Sequence, residues 1–246
     1  MNAKQLQELR DRLLKAYTET GMWGITNPAW TLPEGVERGS DVHLAFLTLV
    51  YTISGGREPV QLWDAARHTF AEDAELFDPM FLAYAKPATL INRLHLHGLT
   101  KKKTSEATTW QRIGQALLMR AGGSVQALLA KHEYNAKKLM AMLAKSKTTF
   151  PVLSGKQTAP RWLYGLTAVG LQPLIHVEKL PIPVSPQAKR ALHALSIKTD
   201  KISALAFDAL DALGRYGCSQ HKQSHTICSA AHSCPVAMFC RYGEGG

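Results

Sequence analysis

A chain of 246 residues, 46% of them apolar, can bury one or two hydrophobic cores and is too apolar for a disordered tail. Its 29 Lys+Arg against 19 Asp+Glu give a formal net charge of +10 spread along the chain. Such a balance favours a polyanionic partner, with a merely basic soluble surface as the alternative, and no segment approaches the roughly 18 uninterrupted apolar residues that a membrane span requires.

The N-terminal stretch "MNAKQLQELRDRLLKAYTETGMWG" sets Leu6, Leu9, Leu13 and Tyr17 at helical spacing between charges. This pattern predicts an amphipathic surface helix, without the apolar centre of a signal peptide. A cytoplasmic protein with reduced thiols is therefore expected. A Pro- and Gly-rich linker follows, and Asp41 is predicted to cap a helix in "DVHLAFLTLVYTIS". Helical periods continue in "EPVQLWDAARHTFA", "PMFLAYAKPATLINRLHLHG", "TSEATTWQRIGQALLMRAGG" and "SVQALLAKHEYNAKKLMAMLAKS". Gly55–Gly56, Gly98 and Gly122–Gly123 read as helix stops. A turn, "TTFPVLSGKQTAPRWLYGLTAVG", and a Pro-rich crossing, "LPIPVSPQAKRAL", precede a last helix, "KISALAFDALDALGRYG". Few windows alternate with period two, so the chain is predicted to be all-α.

The four cysteines of the chain fall between residues 218 and 240, spaced Cys218-x9-Cys228-x5-Cys234-x5-Cys240. Clustered thiols in a reducing compartment point to metal. Zinc knuckles bring two thiolates together across a gap of about two to four residues, and no such pair is present. A 4Fe–4S cube is wider and suits a loop with longer gaps. His221, His225 and His232 keep a mixed Cys/His zinc site as the alternative.

"GRYGC" followed by "SCPVAMFCRY" resembles the end of the endonuclease III group of the helix-hairpin-helix DNA glycosylases. There a Gly-Arg-Tyr-x-Cys motif opens a 4Fe–4S loop and Cys-x5-Cys closes it. This chain keeps the outer motif and the last gap and lengthens the first two. "HGLTKKKTSEATTWQRIGQALL" is similar to the family's Gly-Leu-x3-Lys-Ala helix start. "FPVLSGKQTAPRWL" falls where the family has its hairpin, and "IPVSPQAKRAL" where it has Val-Asp-Thr-His-x3-Arg. Order and intervals agree from about Asp41 to Tyr242.

The resemblance implies a two-lobed all-α fold. A six-helix lobe over 42–175 would carry the hairpin near 148–163, and residues 1–41 with 176–246 would form the cluster lobe. It implies 4Fe–4S ligation by Cys218, Cys228, Cys234 and Cys240, and a monomer binding double-stranded DNA with the damaged base flipped out. Gly155 becomes the second hairpin glycine, and Leu153 takes the place of the first, where positive φ is costly for a side chain. Lys156, Gln157, Arg161, Lys101, Lys102, Lys103, Lys189 and Arg190 would meet DNA; a solvated basic face is the other reading.

Catalysis departs from the family. Its aspartate aligns with Ser185 and its hairpin lysine with Gln157, although Lys156 is adjacent. Glu178 or Glu58 would then supply a relocated carboxylate, or Ser185 would position water, or the protein would only bind DNA. Loss of the lysine argues against lyase activity. Where the family lines its base pocket this chain has Gly55, Gly56 and Arg57, which would leave a roomier cavity; a simple helix break is the alternative. The expected activity is a DNA glycosylase acting on a modified or damaged base by a non-standard arrangement. An inactive DNA-binding protein and a zinc-stabilised interaction protein are the alternatives.

Overall fold

The computed structural model describes residues 1–23, 26–53, 57–101, 103–181, 184–198, 206–220 and 228–243. Among them the chain is all-α. Among the described residues eleven α-helices account for the regular structure, and an isolated β-bridge pairs Asn135 with Ile175. No helix among the described residues is long and apolar enough to cross a membrane. The chain forms two compact units, Thr31–Leu180 and Met1–Trp30 with Pro181–Gly246.

The central unit, Thr31–Leu180, holds eight helices: α2 (Asp41–Thr52), α3 (Pro59–Glu72), α4 (Pro79–Tyr84), α5 (Pro87–Leu96), α6 (Lys103–Ala121), α7 (Val125–Lys131), α8 (Ala136–Ala144) and α9 (Thr158–Ala168). Ser40 is the N-cap of α2, accepting from the His43 N–H. Asp41, the predicted cap, is one residue inside, and its carboxylate accepts from the Gln126 N–H at 2.9 Å. The α2 sequence is apolar on almost every face, and nine of its twelve residues are buried. Phe46 is its centre, stacked at an angle against Trp63, Phe70 and Phe77, with Trp110 against Phe77 in turn. Each such ring removed from water stabilises the unit by about 2–3 kcal/mol.

Two segments that read as continuous helices are each broken in two. In "PMFLAYAKPATLINRLHLHG" the chain leaves α4 at Ala85 and restarts at Pro87, with Lys86 extended at φ −65°, ψ 137°. A proline opens a helix well but disfavours helical backbone in the residue before it. In "SVQALLAKHEYNAKKLMAMLAKS" Glu133 and Tyr134 both take positive φ, and Asn135 caps α8 from outside.

The second unit contains α1 (Ala3–Lys15), α10 (Pro186–Ala194) and α11 (Phe207–Ala212), the last running into a π-turn at Leu213–Gly217. A capping box of Asn2 and Gln5 starts α1. Its buried Leu9 and Leu13 join Ala191, Leu192, Phe207, Leu210 and Val236 in one core. Cys218, Cys234 and Cys240 pack against the edge of that core, half-buried.

Candidate functional site

The motif Gly-Arg-Tyr-Gly-Cys has a packing reason. A Cβ on Gly214 would lie 1.9 Å from the Gln187 carbonyl oxygen, and one on Gly217 would lie 2.2 Å from the Trp23 ring. Both glycines therefore let the π-turn run flush against α10 and Trp23. The C-terminal loop is tied down by three further bonds. Trp23 Nε1 donates to Ser233 Oγ at 3.1 Å, the Arg241 N–H to the Ala194 carbonyl at 3.1 Å, and the Cys228 N–H to the Tyr242 carbonyl at 2.8 Å.

These constraints turn Cys218, Cys228, Cys234 and Cys240 onto one small apolar cavity, whose wall also includes Trp23, Leu213 and Gly217. An adjoining cavity of about 680 Å³ is bounded by Arg190, His193, Ser219 and Tyr242 together with three of the thiols. Burial pushes the Cys218 thiol up to about 12, and the three neighbouring sulfurs add to the shift. Burial likewise pushes Cys234 up to about 11, against the pull of the Val236 N–H. Cys240 is raised by burial, with the Tyr242 and Gly243 N–H groups opposing. Thiolates here are costly unless a cation takes their charge. Among the described residues no group of three or more His, Cys, Asp or Glu side chains closes on a single-ion site. The thiols instead ring a common space. Four soft donors about one apolar cavity fit an iron–sulfur group in number and in chemistry. His221 and His225 lie outside the described residues, and His232 is exposed.

Ser185 is the N-cap of α10. Its Oγ accepts from the Ala188 N–H at 3.0 Å and its hydroxyl donates to Asp211 Oδ1. Asp211 Oδ2 accepts in turn from Arg215 Nη2 at 3.2 Å. A carboxylate thus reaches the position where the sequence offers only a serine. It comes from α11, 26 residues further along the chain. The acids expected from the sequence, Glu178 and Glu58, are not on α11. The acids of "FDALDALGRYG", immediately upstream of the cysteine motif, were the available signal.

Glu58 and Glu178 belong to the central unit. The Glu58 carboxylate caps α3, accepting from the Gln61 N–H at 3.1 Å. Glu178 lies in a short 3-10 turn, mostly exposed, 3.8 Å from His176 Nδ1. Arg57 donates to the Gly98 carbonyl at 2.8 Å; Gly55 and Gly56 lie outside the described residues.

Between α8 and α9 the chain makes the turn expected of a hairpin. The left-handed residue is Val152, at φ 62°, and not Leu153, which is fully buried. A β-branched residue there costs about 1–2 kcal/mol. Gly155 lies where the backbone doubles back. Its N–H donates to the Val152 carbonyl at 2.8 Å, and a Cβ would stand 2.9 Å from that oxygen. Lys156 and Gln157 are exposed at the start of α9, and Arg161 is half-buried one turn on. Lys101 is exposed before α6, Lys103 is its first residue, and Lys102 lies outside the described residues. Lys189 is exposed on α10, whereas Arg190 donates to the Gly214 carbonyl at 3.3 Å.

No family model matches the chain, and no curated protein matches it. Among solved structures it is similar to that of a trapped endonuclease III–DNA covalent intermediate, in an estranged-adenine complex. The TM-score is 0.53 at 15% sequence identity, covering 99% of this chain and 97% of that one. The protein therefore has the all-α fold of endonuclease III, a helix-hairpin-helix DNA glycosylase fold, along its whole length.

Proposed function

We propose that this protein binds double-stranded DNA and excises a modified or damaged base as a monofunctional glycosylase, carrying a 4Fe–4S cluster on Cys218, Cys228, Cys234 and Cys240. The observation that carries the reading is the endonuclease III fold, coextensive with the chain and matched in a complex with DNA. The convergence of four thiols on one apolar cavity supports the cluster, since four soft sulfur donors are the ligand set that such a group takes. Such a cluster, when bound, would tie the 218 and 228–240 segments together and hold α10 in register. The roles of the protein's own residues are to grip and position. The α9 start would present backbone N–H groups to a phosphate, and Lys156, Gln157, Arg161, Lys101, Lys102, Lys103 and Lys189 are the candidate side-chain donors to DNA.

Excision is tested by incubating the protein with duplexes carrying a panel of modified bases, followed by alkaline cleavage at abasic sites. Strand breaks that appear only after alkali are expected. Binding should weaken steeply as salt rises, because neutralised phosphates release counterions. No cleavage of any substrate, with salt-sensitive binding retained, would favour the second reading, a non-excising protein that recognises modified DNA; the alignment of Ser185 and Gln157 with the catalytic aspartate and lysine of the endonuclease III group is what favours it. Absence of duplex binding at low salt would reject both.

A further inference from the structure

A serine N-cap needs only to accept a hydrogen bond from the first turn of its helix. Ser185 does this for α10, yet its proton is separately committed to Asp211, and Asp211 is itself fixed by Arg215. Ser185 is half-buried and so keeps an open face, while the Asp211 side chain is only 14% exposed. Capping explains the first bond; the second fixes the direction of the hydroxyl proton. A hydroxyl whose proton is held from behind by a carboxylate can only accept in front.

We propose that Asp211 is the positioning residue that replaces the missing catalytic aspartate, acting through Ser185. This rests on the glycosylase reading above. As the N-glycosidic bond breaks, the bonding pair leaves with the base and positive charge develops at C1′ and the ring oxygen. Ser185 Oγ, electron-rich because Asp211 holds its proton, faces that charge and accepts from the attacking water. The new C1′–O bond forms as the water's proton passes to Ser185 and that of Ser185 to Asp211. A proton is then returned to the departed base. One C–N and one O–H bond are broken, and one C–O and one N–H bond are made. Arg215 keeps the carboxylate aimed at Ser185.

The test compares affinities for two duplexes, one carrying a cationic pyrrolidine abasic analogue and the other a neutral tetrahydrofuran analogue. The wild-type protein should prefer the cation by about tenfold or more, as an enzyme complementary to a cationic transition state does. Asp211→Asn should abolish the preference and leave tetrahydrofuran affinity unchanged. Asp208→Asn, which removes an equal charge from the same helix, should retain it. Should Asp211→Asn fail to fold by thermal melting, Ser185→Ala carries the same expected loss. Equal binding of both analogues by the wild type, or a preference surviving in Asp211→Asn, would overturn the proposal while leaving DNA binding intact. Failure of the wild type to bind either duplex would overturn the glycosylase reading instead.

Discussion

Replacing Gly214 by alanine probes the joint that brings Asp211 to Ser185. The added Cβ would lie 1.9 Å from the Gln187 carbonyl oxygen and 2.5 Å from its carbon, both backbone atoms in the first turn of α10. Neither can rotate away. Ordinary contact begins near 3.4 Å, so α10 and the π-turn must separate by about 3.4 − 1.9 = 1.5 Å. That shift breaks the Arg190 bond to the Gly214 carbonyl, 3.3 Å long, and withdraws Asp211 from Ser185. Overpacking of this kind costs ~1–3 kcal/mol and a lost hydrogen bond ~1 kcal/mol, for a total of ~2–4 kcal/mol. Equilibrium urea unfolding, followed by circular dichroism and tryptophan fluorescence, reads the difference directly. The variant should also lose the preference for the cationic analogue. Stability within about 0.5 kcal/mol of wild type, the range of a neutral surface change, would refute the close approach.

Other perturbations test the surroundings. His43 is fully buried on α2, with Nδ1 accepting from the Gly39 N–H at 3.0 Å. Burial first, and Arg38 second, depress its pKa from 6.5 to about 4. The unfolded chain then binds the extra proton between those values, so stability present above pH 6.5 should fall by ~3 kcal/mol as pH drops towards 4. His43→Gln should flatten that slope by about one proton in urea titrations, and an unchanged slope would contradict the assignment. Trp162 Nε1 donates to Thr48 Oγ1 at 2.9 Å, both groups buried. Thr48→Val strands the indole N–H and should cost ~1–3 kcal/mol in the same assay. Glu58→Gln and Glu178→Gln should leave base excision intact, and a loss of activity in either would reinstate the relocated carboxylate of that residue.

The helical class is legible in the sequence because the apolar residues recur at helical spacing and the stops are glycines. Gly98, Gly122 and Gly123, read as stops, all take positive φ. The breaks at Lys86 and Asn135 were less visible. The apolar periods of α4 with α5, and of α7 with α8, continue in phase across them, so local proline and asparagine chemistry decides where pattern does not. The turn before α9 places its left-handed residue one position earlier than the hairpin alignment suggests. Leu153 is needed in the core, which leaves the exposed Val152 to turn. Asp211 could not be read from the segment around Ser185, because the pair is made by tertiary packing across the Gly214 contact. The cysteine spacing stated which residues belong together; how closely they approach a common cavity depends on Trp23, Ala194 and Tyr242, which no spacing rule includes.

The proposed 4Fe–4S cluster is tested most directly by analysing iron and acid-labile sulfide in protein purified without oxygen. About four of each per chain, with a broad visible absorption that is lost when any one of the four cysteines is changed to alanine, is the expected result. Protein that is colourless and iron-free under those conditions, or that carries zinc in its place, would contradict it.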